Sequence, residues 1–129
     1  MKLSGIHHIA IIASDYEKSR AFYVEKLGFA VISEHRRPER GDVILNLRVD
    51  ENTQIELFGM PSPPPRVTGP EACGLRHLAF QVDDIEAAVA ELAAQGVVCE
   101  PIRIDPYTGK KMTFFRDPDD LPLEMQEKA

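Results

Sequence analysis

Two stretches of this 129-residue chain alternate apolar and polar positions in the same way. Residues 6–13 (IHHIAIIA) are short, apolar and β-branched, which predicts a mostly buried strand. Side chains alternate across a strand, so His8, Ala10 and Ile12 share one face, and His7, Ile9 and Ile11 the other. Ser14 or Asp15 then supplies an N-cap oxygen. Tyr16, Ser19, Phe22, Tyr23 and Leu27 follow at helical spacing, and Gly28 closes the helix as a left-handed C′ residue. Residues 75–82 begin the second stretch, with His77, Ala79 and Gln81 on one face. Asp83 or Asp84 caps a helix that runs through Gln95, with Ile85, Ala88, Val89 and Leu92 on its inner stripe and Gly96 after it. Gly5, His8 and Asp15 recur as Gly74, His77 and Asp84, shifted by 69 positions (5 to 74, 8 to 77, 15 to 84).

Three strands are predicted after the first helix, at 29–35, 42–49 and 53–59, with turns at Arg40-Gly41-Asp42 and Asp50-Glu51-Asn52. Three follow the second, at 97–104, 111–116 and 121–127, the last two separated by Asp117-Pro118-Asp119-Asp120. The segment 61–74 (PSPPPRVTGPEACG) holds five of the ten prolines and predicts a stiff, extended linker, because proline removes a donor and fixes φ. The fold class is therefore α+β: one domain, 1–129, built from two tandem βαβββ modules at about 5–60 and 75–127.

A net charge of −6 argues against a nucleic-acid partner, which would need clustered Lys and Arg. The chain has no apolar run long enough to span a membrane and no apolar stretch that reads as a secretory signal. Cys73 and Cys99 read as two free thiols of a cytoplasmic protein.

Each module also places a glutamate between apolar neighbours in its last strand: Glu56 between Ile55 and Leu57, and Glu124 between Leu123 and Met125. Alternation turns each glutamate to the face opposite its neighbours. Taken singly, such a residue is a solvated surface carboxylate. The intervals 8 to 56 and 77 to 124 are 48 and 47, however, so each half carries one His–Glu pair in the same structural place. Pseudo-twofold packing of the concave sheet faces gathers two imidazoles and two carboxylates, a donor set that suits a divalent metal and leaves octahedral positions for water or substrate.

Several motifs carry a resemblance to the vicinal oxygen chelate superfamily, and within it to the glyoxalase I-like branch. They are HIAIIASD (8–15), SRAFY (19–23), Leu27-Gly28-Phe29, Ile55-Glu56-Leu57, RHLAFQVDD (76–84) and FRDPDDLPLE (115–124). PSPPP, GLRHLAF and DPYTGKKMTFF most resemble the small bacterial YaeR-like group. The resemblance implies paired βαβββ modules with sheets curved around a metal held by His8, Glu56, His77 and Glu124. It implies a lactoylglutathione lyase-like isomerisation of a 2-oxoaldehyde–thiol hemithioacetal through a metal-stabilised enediolate. In that reaction Glu124 is the base, with Glu56 opposite it. Nickel or zinc is the expected ion, with cobalt or manganese as further candidates.

The sequence departs from the glyoxalase I pattern at the positions where arginine and asparagine hold glutathione, which are Ile12 and Met60 here. Asp120 stands where the DPDG turn has glycine, a place asparagine and aspartate tolerate. An epimerase or thiol transferase on the same scaffold, or a non-catalytic small-molecule binder, therefore remain as alternatives. The segment 105–116 offers Tyr107, Lys110, Lys111 and Arg116 as contacts to an anionic substrate, or else is a plain polar hairpin. A homodimer with metal sites between modules is the expected assembly, since the long linker permits exchange of modules.

Overall fold

A computed structural model describes residues 1–128. The chain divides into two units between Pro64 and Pro65, inside the proline-rich segment.

In the first unit, strands β1 (His8–Ala13), β2 (Ala30–Arg37), β3 (Asp42–Arg48) and β4 (Gln54–Gly59) form one sheet in the order β1-β4-β3-β2. β1 runs parallel to β4, and the other neighbours are antiparallel. Register pairs Ile11 with Leu57, Leu57 with Leu45, and Ile55 with Leu47, so these side chains share one face. All of them are buried. Each stabilises the fold by roughly 1.5–3 kcal/mol relative to exposure.

Helix α1 (Tyr16–Arg20) brings Ser19 to this core and continues as a π-helical turn over Ala21–Lys26, which adds Phe22 and Tyr23. The sequence predicts a regular helix here. The departure lies in the last turn, where Leu27 N–H donates to the Phe22 carbonyl, five residues back, at 3.0 Å. Asp15, not Ser14, is the cap, and its carboxylate accepts from Lys18 N–H. Gly28 at φ +79° ends the element as expected. Helix and sheet approach closely at Gly59: a Cβ there would lie 2.7 Å from the Tyr16 Cβ.

The second unit repeats the plan. β5 (Leu78–Val82), β6 (Arg103–Ile104), β7 (Lys111–Arg116) and β8 (Pro122–Glu127) form a sheet in the order β5-β8-β7-β6, with β5 parallel to β8. Helix α2 (Ile85–Ala94) is capped by Asp84, whose carboxylate accepts from Ala87 N–H at 3.0 Å. Ile85 and Leu92 are buried on its inner side.

One predicted strand is much shorter than expected: of 97–104, only Arg103–Ile104 pairs as a strand. Pro101 has no N–H to give to a ladder. The segment is still tied to β7, because Glu100 N–H donates to the Phe114 carbonyl and the Thr113 hydroxyl donates to the Glu100 carbonyl. Residues 61–74 contain no strand or helix, in keeping with their prolines. Asp120 does adopt a left-handed conformation, at φ +67°. The buried Asp117 holds this turn by accepting from the N–H groups of Asp119 and Leu121, both at 2.9 Å. No helix among the described residues is long and apolar enough to cross a membrane.

Candidate metal centre

In the first unit, register places His8 opposite Gln54 and Ala10 opposite Glu56. His8 and Glu56 are thus diagonal neighbours on the face turned away from the Ile55/Leu57 core. His8 Nε2 lies 3.5 Å from Glu56 Oε1. The second unit builds an equivalent pair, with His77 just before β5 rather than within the strand. Ala79 is opposite Glu124, His77 lies two residues before Ala79, and His77 Nε2 is 3.9 Å from Glu124 Oε1. Both separations exceed a normal hydrogen bond. They are a little wider than the roughly 3 Å between adjacent ligand atoms that follows from metal–ligand bonds of about 2.0–2.2 Å. The excess is about 0.5 Å in the first pair and about 0.9 Å in the second, so each pair would have to draw together to share an ion. The chemistry of the donors also fits, since imidazole nitrogen and carboxylate oxygen suit zinc and nickel alike.

The two imidazoles have different neighbours at Nδ1. His7 Nδ1 lies 2.9 Å from His8 Nδ1, with the rings edge to face. If His8 donates across that contact, its Nε2 keeps a lone pair facing Glu56, the form a metal ligand requires. His77 Nδ1 instead meets Arg76 Nη1 at 3.1 Å. A guanidinium only donates, so His77 Nδ1 is the acceptor there and Nε2 holds the hydrogen. For His77 Nε2 to serve as a ligand, the hydrogen must sit on Nδ1, and Arg76 must release that contact. Arg76 has Glu71 to fall back on, at 2.5 Å through Nε.

Glu124 is buried, at 7% exposure, whereas Glu56 is half-buried. The Phe114 ring packs edge to face on His77, with centroids 5.1 Å apart, and Phe114 is the cross-strand partner of Glu124. Phe114 was not singled out in the sequence. Its alternation with Thr113 and Phe115 places it on the Glu124 face, and that was the available signal.

The segment 105–116 divides its residues. Arg116 stands two residues beyond Phe114 on β7 and so shares the Glu124 face. Lys111 lies on the other face, where its ammonium pairs with Glu86 of α2 at 2.6 Å. Tyr107 is 96% exposed, in a turn whose base is closed by Asp105 N–H donating to the Lys110 carbonyl. A second acidic group, Asp84, Glu86 and Glu127, gathers at the start of α2. Its oxygens are engaged there: Asp84 caps Ala87, Glu127 accepts from Ile85 N–H, and Glu86 holds Lys111.

The model of the Glyoxalase/Bleomycin resistance protein/Dioxygenase superfamily matches residues 5–125. The chain is 60% identical to the uncharacterized protein YwkD of Bacillus subtilis, over 99% of this chain and 100% of that one. It is 56% identical to YaeR of Escherichia coli, over 98% of each. Human mitochondrial methylmalonyl-CoA epimerase is 32% identical over 91% of this chain and 69% of its own length. Among solved structures, a glyoxalase family protein from Enterococcus faecalis superposes with a TM-score of 0.92 at 52% identity, covering 98% of this chain and all of that one. The trypanothione-dependent glyoxalase I of Leishmania major superposes with a TM-score of 0.74 at 25% identity, covering 97% and 87%.

Proposed function

Because the chain belongs to the glyoxalase/bleomycin resistance protein/dioxygenase superfamily, whose members commonly bind a divalent metal, we propose that it is a metal-dependent enzyme that moves a proton between carbons next to a carbonyl. The observation that carries this reading is the repeated pair: His8 with Glu56, and His77 with Glu124, each on the sheet face away from the core. Together the two pairs offer two imidazoles and two carboxylates, a donor set that suits a divalent ion. Nickel or zinc suits that set, and cobalt or manganese also fits it. When bound, the ion polarises the substrate carbonyl and stabilises the charge that develops on its oxygen.

The protein groups do the rest. Glu124, buried beside its cross-strand partner Phe114 and His77, takes the proton from the carbon next to the carbonyl and returns it to a neighbouring position. Glu56 stands as the second carboxylate, able to share the proton on the opposite side. His8 and His77 hold the geometry. This is the chemistry of a glyoxalase I-like lyase acting on a 2-oxoaldehyde–thiol hemithioacetal.

A specific observation favours a second reading. Ile12 and Met60 stand where glutathione-gripping residues are expected, and the 32% identical human relative is an epimerase of a coenzyme A thioester. An epimerase removes and returns a proton at one carbon and uses the same carboxylate and carbonyl polarisation. We place the protein in the cytoplasm and read it as a homodimer.

Metal analysis with substrate assays tests these readings. The purified protein takes up about one divalent ion per chain, and His77→Ala abolishes the uptake. Turnover of the glutathione hemithioacetal supports the lyase reading. Solvent deuterium entering a thioester at the carbon next to its carbonyl, without hemithioacetal turnover, supports the epimerase reading. A folded protein that binds no nickel, zinc, cobalt or manganese removes both.

A further inference from the structure

The second unit contains a cavity of about 230 Å³ that is walled in part by arginines: Arg66, Arg76, Arg103 and Arg116. Two carboxylates, Glu71 and Glu100, also line it. The lining thus has two more cationic than anionic side chains, in a chain whose net charge is −6. Such a local reversal of sign concentrates anions against the field of the whole molecule.

The cavity adjoins Glu124. Register pairs Met112 with Arg103, Glu124 with Phe114, and Pro122 with Arg116. Arg103, Phe114, Arg116 and Pro122 all line the cavity, and all lie on the sheet face that carries Glu124. Phe114 forms the shared wall, with the His77 ring on it and the Arg103 guanidinium 5.5 Å from its centroid.

The four arginines are not equally committed. Arg66 is a structural staple: its Nη2 donates to the carbonyls of Leu75 and Arg76, while its buried Nε has no hydrogen-bond partner. Arg76 is held by Glu71. Arg103 meets Glu100 at 3.2 Å, and Arg116 reaches Asp120 at only 3.5–3.6 Å. Arg103 and Arg116 therefore retain the most donor capacity. A planar guanidinium fork is matched to carboxylate and phosphate oxygens. At about 230 Å³ the cavity is smaller than the roughly 300–1,000 Å³ of sites that enclose drug-sized ligands, so it suits one compact group.

We propose that Arg103 and Arg116 bind a compact anionic group of the substrate, a phosphate ester or a carboxylate, beside Glu124. This names the substrate class and rests on the metal-enzyme reading above: the substrate is a small acidic carbonyl compound, anchored by its anion at one end of the second sheet.

The test uses the full-length chain, titrated separately with inorganic phosphate and with malonate and followed by amide chemical shifts, before and after loading with zinc. One of the two anions shifts the amides of residues 114–116, and the tighter of the two identifies the group. Arg103→Gln and Arg116→Gln each weaken that binding by about three- to tenfold, the range for a charge-assisted hydrogen bond at a half-exposed site, and leave zinc uptake unchanged. Glu100→Gln frees Arg103 and tightens binding, a gain that misfolding does not produce. His77→Ala loses zinc and keeps the anion.

Binding of neither anion overturns the proposal. So does binding that is indifferent to both arginines, or that disappears with His77→Ala, because the anion is then at the ion. Arginine-dependent anion binding in a wild-type protein that takes up no metal removes the metal-enzyme reading and leaves the anion site standing.

Discussion

His7 and Arg76 occupy equivalent places beside the two imidazoles and act on them with opposite sign. His7 Nδ1 lies 2.9 Å from His8 Nδ1 and, as the acceptor of that contact, favours the tautomer whose Nε2 can bind a metal; this is the role that His7→Ala tests. Arg76 offers a donor 3.1 Å from His77 Nδ1 and favours the other tautomer. Removing His7 as His7→Ala therefore weakens metal affinity, and removing the Arg76 donor as Arg76→Met strengthens it. Loss of a residue that orients a ligand typically costs about 10–100-fold in metal affinity. His7 and the His8 side chain are exposed, so the expected loss is at the low end, about tenfold, or about 1.4 kcal/mol. The gain from Arg76→Met is smaller, about two- to fivefold, because Glu71 already offers that guanidinium another partner. Competition with a chromophoric chelator measures both against wild type, and His7→Gln, which restores an acceptor, recovers part of the loss. Substitutions that move the affinity in the same direction, or a folded His7→Ala protein with unchanged affinity, would refute the opposed roles of His7 and Arg76.

Other substitutions probe the proposed base, Glu124, and the fold. Glu124→Gln keeps the shape and one ligand oxygen but cannot accept the proton; kcat is expected to fall at least about a hundredfold, with a much smaller change in substrate affinity, and an equal loss in both would point to a purely structural role. Gly59→Val drives a side chain into Tyr16, whose Cβ and ring carbons lie 2.7–2.9 Å from the added Cβ; the expected cost is about 1–3 kcal/mol by denaturant unfolding, and an unchanged midpoint would show that α1 shifts freely. Asp42 is held below the usual carboxylate range by its hydrogen bonds from Arg37, at 2.8 and 2.6 Å. Because its folded pKa is depressed, its contribution to stability is present above the unfolded value of 3.8 and is lost as pH falls through the folded value. Asp42→Asn is thus less stable than wild type at neutral pH, and the gap closes under acid; a gap independent of pH contradicts the ion pair.

Much of the fold is legible in the sequence because its signals are local. A strand, an aspartate cap, an apolar helical stripe and a terminating glycine appear twice, and the structure has them twice. Where the signals failed, the physical reason is specific. Pro101 cannot complete the ladder expected over 97–104. The π-helical turn at Ala21–Lys26 buries Phe22 and Tyr23 as a regular helix would, so apolar periodicity does not distinguish the two. The proline-rich segment read as a spacer, yet its end, from Arg66 to Ala72, walls a charged cavity.

The strand period alone determined that His8 and Glu56, and His77 and Glu124, face away from the apolar core of their sheets, because alternation admits no other choice once Ile55, Leu57, Leu123 and Met125 are buried. Partners in space are a different matter, since they come from residues far apart in the chain. Register brought Glu124 beside Phe114 and Pro122 beside Arg116, and the packing of α2 brought Glu86 to Lys111. The tautomers of the two histidines and the arginine-lined cavity belong to that second class. Their chemistry depends on distances of about 3 Å between groups that composition and spacing cannot order.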